Sequence, residues 1–399
     1  MINNELNFGG LGIAPKLLEK LTNMGFKSPT PIQHKTIPIT IEGKDVIGIA
    51  QTGTGKTLAF GVPMIQRILQ SKTGKGLIVL PTRELAIQVD EALTKIGKEF
   101  GLKTAVLIGG ASTYVQINAL RANPHIVIGT PGRINDLILQ RALHLHGVNI
   151  LVLDEADRMF DMGFAPQIKK ILQSVPTNRQ TMLFSATMPD NIAKIASGHM
   201  KLPVRIEIVK QGTPAENVEH ELFVVPKNQK MSLLKNLLAE YKGSVLVFIR
   251  AKHSAGKICR DLRNAGVLAT EIHSNRSLNQ RKEAMEGFKF GKYRVMVATD
   301  IASRGIDVKG IELVINYDLP ENPEDYVHRI GRTGRAGMSG KAISFAMPDQ
   351  GSKIREIERL TNLYLPIIKL PEGLHVAAAP TNNYSPQNNR NRNRYSRRR

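Results

Sequence analysis

Ala50-Gln-Thr-Gly-Thr-Gly-Lys-Thr57 follows directly on the apolar run 45–50 and opens a helical pattern. Glycines at 53 and 55 free the backbone to curl its N–H groups around phosphate oxygens, and the helix start adds the positive end of its dipole. In such a loop the backbone of Ala50, Gln51, Thr52, Gly53, Thr54 and Gly55 wraps the phosphates of a nucleotide. Lys56 reaches the β- and γ-phosphates, and the Thr57 hydroxyl is the expected ligand of Mg²⁺. Ala50 stands where these loops usually open with glycine, a change small enough for the turn to accept. Strand, phosphate loop and helix in that order predict an α/β fold.

Outward from this loop, runs rich in Val, Ile and Leu recur at 45–50, 76–81, 104–108, 125–130, 150–154 and 181–185. Most lack polar alternation, which suits strands buried on both faces of a parallel sheet. Amphipathic stretches such as 84–100 and 165–173 separate them. The pattern breaks over 209–217 and resumes with runs at 245–249, 269–273, 295–299, 313–317 and 342–346. The reading is two tandem doubly wound parallel-sheet domains. A segment at 1–36 precedes a first lobe at 37–208, and a linker at 209–217 leads to a second lobe at 218–379 and a tail at 380–399. A cleft between two such lobes is a favoured ligand site.

A second stretch fits the phosphate chemistry. Ile150-Leu-Val-Leu-Asp-Glu-Ala-Asp157 is an apolar strand ending in carboxylates. Asp154 is positioned to hold Mg²⁺ through its water shell, and Glu155 to orient and deprotonate the attacking water. Three acids in four residues are usually a solvated loop. At a strand's C-terminal end, in a chain with a phosphate loop, the catalytic reading outweighs that.

The 399 residues carry 55 Lys and Arg against 34 Asp and Glu, a net charge of +21. The excess is spread: 23 against 15 in residues 1–209, 26 against 19 in 210–372, and six against none in 373–399. A polyanionic partner follows, nucleic acid before an acidic membrane. No apolar stretch approaches the ~18–20 residues of a membrane span. The first residues lack a basic and then apolar leader, so the expectation is a soluble cytoplasmic protein with no membrane partner. The one cysteine, Cys259, excludes an internal disulfide or a cysteine metal cluster and reads as a small buried apolar residue. The tail combines six Arg with Asn, Pro, Ser, Tyr384 and Tyr395, a composition expected to be disordered and able to tether RNA through charge and stacking.

Asp154-Glu-Ala-Asp157 is the string that names the DEAD-box RNA helicases, and the chain resembles that family from Phe8 to about Leu370. Gly25-Phe-Lys-Ser-Pro-Thr-Pro-Ile-Gln33 is similar to its adenine-reading segment, with Phe8 upstream to stack on the base; taken alone, Phe8 reads equally as a small core anchor. Pro81-Thr-Arg-Glu-Leu-Ala86, Gly109-Gly110 and Thr130-Pro-Gly-Arg133 resemble its first-lobe RNA motifs, and Ser185-Ala-Thr187 its coupling motif. Val297-Ala-Thr-Asp-Ile-Ala-Ser-Arg-Gly-Ile-Asp307 and His328-Arg-Ile-Gly-Arg-Thr-Gly-Arg335 resemble its second-lobe motifs.

The resemblance implies two RecA-like domains that use ATP and Mg²⁺ and work as a monomer. It makes Arg332 and Arg335 arginine fingers on the γ-phosphate and puts Asp307 near the ribose. Arg83, Gly110, Thr130 and Arg133 would then meet RNA opposite Thr299 and Arg304, through phosphates and 2′-hydroxyls. Ser185 and Thr187, with Asp157 and His328, would couple hydrolysis to RNA. The implied activity is RNA-stimulated ATP hydrolysis coupled to lobe closure, strand bending and local opening of short duplexes. Two other readings use the same residues: a DNA translocase, against which the Gln33 segment argues, and an ATP-gated RNA clamp. Arg250, and Ser274-Asn-Arg276 after His273, depart from the family pattern at second-lobe RNA positions. Ribosome assembly, RNA decay or growth in the cold follow by analogy only.

Overall fold

The structure, a computed structural model, describes residues 7–51, 53–71, 74–208, 218–300, 308, 311–334 and 339–371. The expected linker and tail lie outside these residues, as do Thr52, Arg304, Asp307 and Arg335.

The first sheet contains β1 (Val46–Ile49), β2 (Lys75–Val79), β3 (Thr104–Leu107), β4 (Ile126–Gly129), β5 (Val148–Leu153), β6 (Gln180–Ser185) and β7 (Val204–Glu207). They lie in the order β3-β4-β2-β5-β6-β1-β7, and every pairing is parallel. Every residue of β1, β4 and β6 is buried, because helices cover both faces. On one face α1 (Pro15–Asn23), α2 (Pro31–Ile41), α3 (Lys56–Gln70) and α4 (Arg83–Gly97) share a core with Val46, Ile78 and Phe184. On the other, α6 (Pro131–Leu139), α7 (Ala156–Asp161), α8 (Ala165–Ser174) and α9 (Asp190–His199) pack on Leu77, Leu151 and Leu183. Helix α5 (Thr113–Arg121) leans on that side through Ile117 and Leu120.

The second sheet contains β8 (Val218–Val224), β9 (Val245–Ile249), β10 (Ala269–Ile272), β11 (Val295–Thr299), β12 (Leu313–Asn316) and β13 (Gly340–Ala346). Its order is β10-β11-β9-β12-β13-β8, again parallel throughout. Helices α10 (Lys230–Glu240), α11 (Lys252–Asn264), α12 (Leu278–Lys289), α13 (Pro323–Ile330) and α14 (Gly351–Thr361) flank it. Cys259 sits in this lobe's core, 1% exposed, and burial pushes its thiol pKa up.

Two strands escape the sequence reading, and both are sheet edges. In β7, Val-Arg-Ile-Glu alternates apolar with charged, because only one face meets the core. In β8 the run Glu219-His-Glu221 hides the strand, which is held by β13 on one side and by a bridge from Leu222 to Ile367 on the other. Among the described residues no helix is long and apolar enough to cross a membrane.

Strand order sets where the chemistry gathers. Because β5, β6 and β1 are consecutive neighbours, their C-terminal ends bring Asp154, Ser185 and Ala50 side by side. The Ala50 N–H donates to the Ser185 carbonyl at 2.9 Å, and the Asp154 N–H to that of Val79 at 3.1 Å.

Candidate active site

The phosphate loop turns sharply after β1. Gly53 and Gly55 hold left-handed backbone (φ +85° and +91°), and the Thr54 hydroxyl donates to the Gln51 carbonyl at 2.7 Å. A side chain at 55 would also collide with the Gln33 amide. Lys56 opens α3 with its Nζ buried, without a hydrogen-bond acceptor, and 3.8 Å from Asp154 Oδ1. A desolvated ammonium facing one carboxylate is poised for phosphate oxygens.

Asp154 is 3% exposed, and burial pushes its carboxyl up to about 6, with Glu155 and Asp157 raising it and Lys56 opposing. Glu155 caps α7 in left-handed backbone (φ 51°, ψ 49°), a conformation a non-glycine residue holds only under constraint. Asp157 looks the other way. Its Oδ2 accepts from the Ala186 N–H, the Thr187 N–H and the Thr187 hydroxyl at 3.1, 2.9 and 3.1 Å, while its own N–H donates to Ser185 Oγ at 3.1 Å. The acidic string and Ser185-Ala-Thr187 are therefore one hydrogen-bonded unit.

Gln33, 3% exposed, occupies the third position of α2, where its Oε1 accepts from the Thr30 N–H at 2.9 Å. Its Nε2 donates to the Gly55 carbonyl at 3.0 Å, so the segment expected to read adenine is fastened to the phosphate loop itself. Each end of the carboxamide keeps one further hydrogen-bonding position. Phe8 lies upstream of this segment, in the short helical turn 8–10. Its ring is 3% exposed in the core shared by α1–α4, so it packs as an anchor for the upstream segment.

In the second lobe Arg332 is 3% exposed and lines a small space of about 10 Å³ with Arg158, Asp325, His328 and Arg329. Arg329 holds the segment in place, and sequence reading assigned it no role. Its guanidinium pairs in a fork with Asp300 (2.6 and 2.7 Å), donates to Asn316 Oδ1 and the Asp318 carbonyl, and stacks 5.1 Å from the Phe248 ring centre. Arginine's planar fork meets all these partners at once.

The first-lobe residues expected to meet RNA converge. Arg83 at the start of α4, Thr130 before α6 and Arg133 line a cavity of about 330 Å³ that Ser274 and Arg281 complete from the second lobe. Gly110 lies beside it in left-handed backbone (φ +78°), where a side chain would meet the Arg83 guanidinium. Thr299, 8% exposed, ends β11 and does not line this cavity. Arg281 crosses to Glu84 at 2.7 Å, both buried. Burial pushes the Glu84 carboxyl pKa up, and Arg281 pulls it back. The departures are also explained. Arg276 is ion-paired to Glu271, whose other oxygen lies 3.3 Å from His273 Nε2, so its added charge is taken up locally. Arg250 anchors its N–H on Asp318 at 3.1 Å and leaves its side chain exposed.

Comparison with known proteins agrees with this geometry. Residues 30–195 match the DEAD/DEAH box helicase family and residues 229–337 the helicase conserved C-terminal domain. The ATP-dependent RNA helicase CshA of Listeria monocytogenes is 45% identical over 366 residues, which are 91% of this chain and 70% of that one. The S. cerevisiae Dbp5 structure bound to RNA and ADP BeF3 superposes with a TM-score of 0.82 at 28% identity, covering 91% of this chain and 95% of that one. A DEAD box protein from Methanococcus jannaschii is 40% identical over 91% of this chain and 99% of its own, with a TM-score of 0.54. By the order of its motifs, its paired parallel sheets and these likenesses, the chain belongs to the DEAD-box ATP-dependent RNA helicases.

Proposed function

We propose that this helicase couples RNA-stimulated ATP hydrolysis to closure of its two lobes, and that closure bends one RNA strand and opens short duplexes locally and without processive travel. The observation that carries this reading is the interlobe cavity. Arg83, Thr130 and Arg133 face Ser274 across it, and the buried Glu84–Arg281 pair at 2.7 Å spans its edge. A strand bound there touches both lobes, and a ligand that prefers the closed arrangement shifts the equilibrium toward it. The higher structural likeness to the RNA- and nucleotide-bound yeast protein than to the more identical archaeal one supports a closed arrangement here.

Each residue then has a task. Gln33 reads the adenine edge and reports to the phosphate loop through Gly55. Lys56 neutralises the β- and γ-phosphates, and Glu155 takes the proton of the attacking water. Arg332, with Arg335 as a second finger, stabilises charge on the transferring phosphoryl. Asp307 and Arg304 keep their expected ribose and RNA roles, and Thr299 its RNA role. The residues present fit Mg²⁺: one buried carboxylate, Asp154, and the half-buried Thr57 hydroxyl make the sparse donor set this ion uses alongside substrate phosphates. When bound, the ion supplies charge stabilisation of the phosphate oxygens. A monomer acting in the cytoplasm on ribosomal precursors or RNA-decay assemblies is the cellular reading, and the arginine-rich tail adds RNA affinity.

Single-stranded RNA raises ATP turnover severalfold or more in this reading, and DNA of the same sequence does not. Steady-state turnover with both polymers checks it: equal stimulation by DNA points to a general nucleic-acid motor, and none by RNA removes the closure mechanism. A slow-release RNA clamp would instead keep a long-lived RNA complex and leave short duplexes unopened. The coupling role of the Asp157 unit has its own test. Ser185→Ala with Thr187→Ala removes the Asp157 N–H bond to Ser185 Oγ and the Thr187 hydroxyl bond to Asp157, and duplex opening falls about tenfold more than RNA-stimulated hydrolysis. Equal loss of both rates would show that the unit supports hydrolysis only.

A further inference from the structure

We propose that Arg158 and Asp325 form an interlobe positioning pair that seats the finger-bearing segment of the second lobe on α7 of the first. The inference rests on the closure reading above and names the contact that transmits it. Arg158 Nη1 lies 3.7 Å from Asp325 Oδ1, with the two side chains 4% and 11% exposed. Removing a member of a pair this buried takes away a counter-charge that water does not replace, most of all for the Arg158 side, whose Nη2 has no acceptor of its own. Parting the lobes separates the pair, so in this proposal the cost falls on the closed state.

The placement gives the pair its consequence. Arg158 directly follows Asp157, and its N–H donates to Asp157 Oδ1 at 3.0 Å. Asp157 in turn holds Ser185 and Thr187. On the far side, Asp325 lies in the first turn of α13, one turn before His328 and ahead of Arg332. Arg329 locks that helix to its own lobe through Asp300, so a pull on Asp325 moves helix and finger together. The space enclosed by Arg158, Asp325, His328 and Arg332 is about 10 Å³, room for about one water, so the charges meet with almost no solvent between them. Arg158 Nη2 has no hydrogen-bond acceptor, which leaves the guanidinium a donor to spare as the cleft tightens.

The test is a charge exchange in the full-length chain, with a dye on each lobe to report closure when ATP and single-stranded RNA are added together. Arg158→Glu and Asp325→Arg each lower RNA-stimulated kcat by about 30-fold or more and weaken closure. Nucleotide affinity of the RNA-free protein stays within threefold. The milder Arg158→Gln and Asp325→Asn, which perturb folding least, lower kcat by about tenfold. The exchanged double variant recovers at least tenfold over the worse single variant and closes again. A merely structural role would instead lower the melting temperature with every activity, and the exchange would not restore closure. Single variants that close like the unmodified protein, or a double variant no better than the worse single one, overturn the pair. If the unmodified protein itself does not close with ATP and RNA, the closure reading falls first.

Discussion

Glu155→Gln lowers RNA-stimulated ATP turnover by about 10²–10⁴-fold, the range a positioned general base supplies. The substitution removes the proposed proton acceptor and keeps length and shape, so the left-handed cap of α7 has no new steric reason to move. Lys56, Asp154 and the phosphate loop are untouched, and ATP affinity stays within a few-fold. The variant therefore binds ATP and RNA together and stays closed without turning over. Single-turnover hydrolysis beside nucleotide and RNA binding checks this. A loss below tenfold would mean that another group activates the water.

Arg332→Ala produces the second large effect, about 10³–10⁵-fold in kcat, as expected for an arginine finger. The guanidinium lines the interlobe space, and Arg329 anchors the segment through Asp300, Asn316 and the Asp318 carbonyl, so truncation at 332 leaves that anchor in place. A finger acts on the transition state, so in the proposed role kcat falls while the KM for ATP changes by less than about threefold. Arg332→Lys recovers little, because a compact ammonium does not present the planar fork. A variant with unchanged kcat and raised KM would recast Arg332 as a ground-state ATP ligand.

Chemistry carried by neighbours in the chain was legible directly. The loop from Ala50 to Thr57 needs glycines in left-handed backbone and a lysine at a helix start, and the structure provides both. Strands buried on both faces announce themselves by continuous apolar runs, and every sequence-read strand of both lobes ends within two residues of where it is observed. The edge strands β7 and β8 did not announce themselves, because a strand with one covered face needs few apolar residues.

The sequence alone determined the parts list: an α/β architecture in two lobes, a phosphate loop, a carboxylate pair at a strand end, and arginines on a glycine-punctuated segment. These depend on residue type and short spacing, which the covalent chain sets. Only the tertiary structure decided which parts touch. Gln33 meets Gly55, Asp157 gathers Ser185 and Thr187, Phe8 turns into the core, and Arg276 is drawn onto Glu271. Arg281 and Arg158 reach across to Glu84 and Asp325. Such pairings depend on strand order and on how two separately folded sheets face each other. That arrangement is decided by burial and counter-charge summed over the whole molecule, quantities no local spacing encodes.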